Sequence, residues 1–136
     1  MFYRNIPTIK EKVSLLGFGC MRLPVIDNQP DKIDEELATK MIDFAIENGV
    51  TYFDTAHPYH KGMSEVFVGK ALKRHPRNNF FLASKMPMWD VTSKEKAAAI
   101  FHEQLEKCQV DYFDFYLVHN MNRDNYKKAV DYEVIP

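Results

Sequence analysis

Val50-Thr51-Tyr52-Phe53-Asp54-Thr55-Ala56-His57-Pro58-Tyr59 is the stretch on which the fold turns. Its first four residues are β-branched or aromatic and read as a short buried strand. That strand ends on a carboxylate, Asp54, and a polar turn follows. Two further stretches repeat the pattern. Phe80-Phe81-Leu82-Ala83 leads into Ser84-Lys85, and Phe113-Asp114-Phe115-Tyr116-Leu117-Val118 delivers His119. Each apolar run therefore carries an ionisable residue at its C-terminal end.

Amphipathic stretches separate these runs. Leu15-Leu16-Gly17-Phe18-Gly19 is the first buried-strand candidate, with a polar loop from Pro24 to Asp31 after it. Asp34 is placed to cap a helix reaching Asn48, and Ala38, Met41, Ile42 and Ala45 recur at helical spacing to form its inner face. Gly49 suits the position just past the helix end, where positive φ is needed. Ser64 is expected to cap a second helix, with Glu65 in its first turn and Phe67, Val68, Ala71 and Leu72 on its apolar stripe. Thr92-Ser93-Lys94-Glu95 has the spacing of a capping box. The helix it opens is expected to bury Ala98, Phe101, Leu105 and Cys108. Residues 120–136 read as a tail prone to fraying, with a fourth helix around Tyr126 to Val130.

The order is β-α-β-α-β-α-β. Crossovers long enough for a helix imply parallel strands and right-handed connections. An open doubly wound sheet and a (β/α) barrel both use this pattern. The positions of Asp54, Lys85 and His119 favour the barrel. Side chains at the C-terminal ends of successive barrel strands converge on one face, whereas in an open sheet they spread along an edge. The reading is α/β, of the (β/α)8 TIM-barrel type. About four βα units are present, as a single partial domain over residues 1–136.

Composition excludes several classes of protein. Of 136 residues, 46% are hydrophobic and 27% charged, the profile of a folded domain. The formal net charge of -1, with no basic cluster, argues against nucleic-acid and membrane-surface binding. No apolar run approaches the ~20 residues of a membrane span. The N-terminus has no signal-peptide features. Cys20 and Cys108 form no CxxC and read as free thiols of a cytoplasmic protein.

Taken singly, the polar residues at the strand ends have plain structural readings. Lys85 can snorkel, Asp54 can cap a turn, His119 can be a satisfied buried histidine, and Tyr59 can pack a loop. Jointly they form an acid, a cation to tune it, a carboxylate to hold the cation and an imidazole to orient a polar substrate. That set suits carbonyl reduction. A tyrosine ionises in water near a pKa of ~10, and a neighbouring ammonium favours the phenolate. At ~4 Å and an effective dielectric of ~20 the attraction is about 4 kcal/mol, which desolvation partly offsets. Tyr59 then serves as general acid, with His119 donating to the same oxygen. No side chain supplies a hydride, so a nicotinamide cofactor is required. His57 and His60 form an H-x-x-H without an evident third ligand, so no metal site is expected.

Several segments resemble the aldo-keto reductase family. Leu16-Gly17-Phe18-Gly19-Cys20-Met21-Arg22-Leu23-Pro24 is similar to its first-strand signature. The stretch Tyr52 to Tyr59 is similar to its Asp-x-x-x-x-Tyr signature, and Ser64-Glu65 with Val68-Gly69-Lys70-Ala71-Leu72 to its continuation. Ala83-Ser84-Lys85 resembles the strand with the family lysine, and Asp114 to His119 the strand with the family histidine. The resemblance implies Tyr59 as proton donor, supported by Asp54, Lys85 and His119. It implies cofactor contacts at Cys20, Met21 and Asp54, and substrate contacts at Trp89 and His119. NADPH is the implied cofactor, with NADH second, and a small aldehyde or ketone the substrate. Met21-Arg22-Leu23-Pro24 and Tyr59-His60 also resemble a bacterial branch whose longer members carry a C-terminal iron–sulfur segment. No residue set here is expected to bind such a cluster.

A complete barrel of this kind typically needs ~250 residues. The resemblance places the adenosine contacts and the ring stacked on the nicotinamide in later strands. Two functional classes follow: a reductase or part of one, and a catalytically silent fragment or interaction module. Strands one and four are each expected to leave an open edge that invites pairing with another copy.

Overall fold

The computed structural model describes residues 1–7 and 9–135 of the chain. An antiparallel hairpin comes first, pairing β1 (Tyr3–Asn5) with β2 (Lys12–Ser14). A four-stranded parallel sheet then forms from β3 (Gly17–Gly19), β4 (Tyr52–Asp54), β5 (Phe81–Met86) and β6 (Phe115–Val118). Its spatial order is β3-β4-β5-β6, the same as the order in sequence. A doubly wound sheet would reverse direction at a switch point. Sequential order with helical crossovers is instead the winding of a barrel, here partial and open.

Helices α1 (Glu35–Glu47), α2 (Met63–Leu72) and α3 (Lys94–Cys108) make the crossovers, and α4 (Arg123–Asp131) follows β6. Asp34 caps α1 as expected, its carboxylate accepting from the Leu37 amide at 3.0 Å. Gly49 takes φ +85° just past the helix end, a conformation open to glycine at little cost. The main core lies between the sheet and α1 and α2, built on Ile42, Phe53, Val68, Leu72 and Leu82. A second cluster joins Met86, Met88, Val91 and Ile100 to Ala129 of α4.

The structure corrects four expectations. Ser64 does not cap α2; Gly62 does, at φ +91° and without a side-chain bond. Ser64 lies inside the helix, fully buried, bonded to the Thr55 hydroxyl at 2.9 Å and donating to the Cys20 carbonyl at 3.1 Å. A tertiary partner has overridden its local capping preference. Likewise the cap of α3 is Ser93, one residue later than the Thr92 spacing suggests. The buried face of α3 is Ala97, Ile100, Gln104 and Cys108, with Ala98 exposed and Phe101 and Leu105 half-buried. That face is rotated because Gln104 turns inward to bond Glu65. Finally, Leu15 and Leu16 are exposed, and so is Met41 of the expected inner face of α1.

Candidate active site

Strand ends and one turn bring the site together. Asp54 ends β4, Lys85 sits one residue before the end of β5, and His119 directly follows β6. Lys85 Nζ donates to Asp54 Oδ1 at 2.5 Å and to the Thr55 carbonyl at 2.8 Å. The lysine side chain is only 13% exposed. An ammonium buried that far needs such partners, since desolvation disfavours its charge.

Tyr59 opens a 3-10 turn, Tyr59–Gly62, just after β4. The Lys85 ammonium lies 4.9 Å from the centre of the Tyr59 ring, a cation–π distance. The His119 ring stands edge-on to Tyr59 at 5.8 Å and 89°. Trp89 flanks His119 at 5.1 Å. Met21, Pro58, Tyr59, His60, Trp89, His119 and Asn120 line a cleft of about 650 Å³. The four residues expected to carry chemistry therefore meet, and Trp89 and Met21 border the same cleft. Cys20 does not. Its side chain is fully buried in the main core, and burial beside the Asp54 charge pushes its thiol up to about 12. Only its backbone is left for a ligand.

Electrostatics favour a neutral His119. Burial first, and then the Lys85 ammonium, hold its imidazole below the ordinary 6.5, with Asp54 opposing. Its backbone N–H donates to the Met86 carbonyl at 3.0 Å. Its Nδ1 is buried and has no hydrogen-bond partner among the described residues.

The turn carrying Tyr59 is held in a costly shape. His60 and Lys61 take φ near +52° and +53°, followed by Gly62 at +91°. Left-handed φ costs a non-glycine residue roughly 1–2 kcal/mol. His60 fixes the turn with both ring nitrogens. Nε2 accepts from the Leu23 amide at 3.0 Å, so Nδ1 carries the proton and donates to the Pro30 carbonyl at 2.7 Å. The imidazole is thus used structurally. Among the described residues no three His, Cys, Asp or Glu side chains gather to hold a metal.

A polar network beneath Lys85 has little local signal in the sequence. Glu65 is fully buried, and its Oε1 accepts from Ser84 Oγ at 2.7 Å and Gln104 Nε2 at 2.6 Å. Tyr116 donates to Gln104 Oε1 at 2.5 Å. Burial raises the Glu65 carboxyl above its usual range, opposed by the bonds from Ser84 and Gln104. The network anchors β5 directly behind the lysine. Its one signal is the Ser64-Glu65 pair in the similarity to the family; helix-start chemistry gave Glu65 only a first-turn role.

Comparison with known proteins decides the family. The model of the Aldo/keto reductase family matches residues 15–135, nearly the whole chain. The chain belongs to the aldo/keto reductase family. A Glycine max protein named "Probable aldo-keto reductase 1" is 34% identical over 119 residues, covering 82% of this chain and 34% of that protein. L-galactose dehydrogenase of Arabidopsis thaliana is 33% identical over 131 residues, covering 92% of this chain and 40% of that one. The solved holo form of an aldo-keto reductase from Bacillus halodurans superposes with a TM-score of 0.76 at 31% identity, over 96% of this chain and 46% of that chain. A Klebsiella pneumoniae aldo-keto reductase solved in complex with NADPH gives 0.67 at 26% identity, over 88% and 42%. This aldo/keto reductase chain thus spans less than half the length of those relatives. Among the described residues no helix is long and apolar enough to cross a membrane.

Proposed function

We propose that this chain carries the proton-delivering side of an NAD(P)H-dependent carbonyl reductase site. The observation that supports this most is the meeting of Asp54, Lys85, Tyr59 and His119, reached from three strands and a turn, with Tyr59 and His119 lining one cleft and Lys85, held by Asp54, beside the Tyr59 ring. Tyr59 gives its phenolic proton to the substrate oxygen as negative charge develops there. The ammonium of Lys85 beside the ring stabilises the phenolate left behind. Asp54 and the Thr55 carbonyl hold that ammonium in place. His119, kept neutral by burial and by Lys85, donates an imidazole N–H to the same oxygen.

The cleft fits the nicotinamide end of the cofactor. It is bordered by exposed Met21 and Trp89, and the unpartnered His119 Nδ1 is unspent hydrogen-bonding capacity. Met21, Asp54 and the Cys20 backbone are the residues we assign to holding it. Trp89 and His119 face the small aldehyde or ketone substrate. A bound nicotinamide, NADPH in preference to NADH, supplies the hydride. We infer a cytoplasmic setting, suited to two free buried thiols.

A second reading has its own observation. The sheet ends in open strands at β3 and β6, which supports a silent interaction module that keeps the family residues. Titration with NADPH, followed by nicotinamide fluorescence, separates the two. Saturable binding is the expected result. No binding at millimolar cofactor would favour the silent module.

A further inference from the structure

One buried ring joins two parts of the site that the sequence keeps far apart. His60 directly follows Tyr59 and is buried. Its Nε2 accepts from the Leu23 amide at 3.0 Å, and its Nδ1 donates to the Pro30 carbonyl at 2.7 Å. Leu23 and Pro30 belong to the loop that leaves β3. That loop closes on itself, with Val25 bridged to Ile33 and the Asp34 amide donating to the Pro24 carbonyl at 2.9 Å. The ring therefore holds the loop both at its base and further out.

A second side chain holds the same loop four residues along. Ser64 Oγ donates to the Cys20 carbonyl at 3.1 Å. Between the Cys20 carbonyl and the Leu23 amide sits the 3-10 turn Cys20–Arg22. Met21 stands 55% exposed on that turn and borders the cleft beside Tyr59. The backbone on either side of Met21 is thus pinned by the segment that presents the acid. That segment is not relaxed. His60 and Lys61 take left-handed φ, +52° and +53°, a region where glycine and asparagine are the usual occupants. Such backbone persists where its surroundings over-determine it. Here the two ring bonds to the loop are those surroundings. Lys61 adds an ion pair to Asp31 at 3.1 Å, but both partners are exposed and the pair contributes little.

We propose that His60 is a positioning residue that couples the cofactor loop to the catalytic acid. One imidazole fixes the turn carrying Met21 and the turn carrying Tyr59. The bond that shapes the seat at Met21 thereby also aligns the phenol. Occupancy of that seat and order at Tyr59 are then linked, each favouring the other. The coupling rests on the reductase reading proposed above, in which Met21 and Tyr59 hold those roles.

Two substitutions take the ring's bonds apart. His60→Asn tolerates left-handed φ and keeps a donor near the Nδ1 position for Pro30, but loses the acceptor for Leu23. His60→Gln carries its amide oxygen out to the Nε2 position and keeps that acceptor, on a residue less suited to the backbone. A His60 that only holds the fold makes asparagine the better replacement. The coupling makes it the worse. NADPH titration by nicotinamide fluorescence, with the Leu23 amide and the Tyr59 ring followed by NMR, decides between them. His60→Asn should bind NADPH about tenfold more weakly than the wild-type chain, and His60→Gln within about threefold of it. In His60→Asn the Leu23 amide should exchange faster and the Tyr59 ring signals should move; in His60→Gln both should return towards wild type. Equal affinity in the two variants, or tighter binding by His60→Asn, would overturn the proposal. So would a Tyr59 ring unmoved in His60→Asn while Leu23 loses protection, or loss of the fold in both variants. If the wild-type chain binds no NADPH, the reductase reading falls, and the joint movement of Leu23 and Tyr59 still upholds or overturns the link between them.

Discussion

Leu82, the second residue of β5, is fully buried, whereas Leu16, at the β3 flank, leaves 61% of its surface in water. The same contrast runs through the molecule. Around β5 the packing is tight enough that a Cβ on Gly69 would come within 2.5 Å of the Lys107 carbonyl. Every acceptor of Glu65 but one is used there. At the flanks, apolar side chains stand on the outer faces of α1 and α4 with nothing over them. The centre has the density of a closed domain interior. The flanks have the composition of an interior without its cover, which is why the site at the top of the centre is assembled while its surroundings are open.

Mutations at the two regions sharpen that contrast. Leu82→Ala should cost about 2–5 kcal/mol in urea unfolding, because a rigid interior leaves the cavity unfilled. Gly69→Ala comes next. Alanine normally favours a helix by roughly 1 kcal/mol, but the clash with α3 should reverse the sign and cost about 1–3 kcal/mol. Leu16→Ala should change stability by no more than about 0.5 kcal/mol. Comparable losses at Leu16 and Leu82 would erase the distinction between centre and flank.

Two pH effects probe the centre from its charges. The Glu65 carboxyl is raised in the folded state by burial. Its contribution is fully present below its ordinary value of 4.5 and is lost as pH rises through the raised folded value. Glu65→Gln keeps an acceptor for Ser84 and Gln104 and should flatten that part of the stability profile. An unchanged slope would show that Glu65 is not the source. His119 runs the other way. Its depressed value means that stability falls as pH drops below 6.5. Its NMR titration midpoint should lie below 6.5, and Lys85→Met should raise it while burial keeps it short of the ordinary value. A midpoint unmoved by Lys85→Met would break the coupling between the two residues.

Much of this was legible from residue types and spacing. Helix α1 announced itself through Asp34 and Gly49, and the strand-end positions of Asp54, Lys85 and His119 pointed to convergence. Local chemistry decides those features. The hairpin of β1 and β2 was not legible: Tyr3, Arg4 and Asn5 are exposed and carry no alternating pattern. The cap at Ser64 and the inner face of α3 misled because Ser64 and Gln104 each take a partner from a distant element, Thr55 in one case and Glu65 in the other. Leu15 and Leu16 read as buried because apolar runs usually are, yet they stand 62% and 61% exposed just before β3.

The most direct test concerns Tyr59. Carbonyl turnover by the wild-type chain and by Tyr59→Phe should be compared at equal cofactor occupancy, set from NADPH titrations of both. The variant keeps the ring against Lys85 and His119 and loses only the hydroxyl. Unchanged binding with turnover abolished is the predicted result. Turnover retained in Tyr59→Phe would contradict the assignment of Tyr59 as the acid.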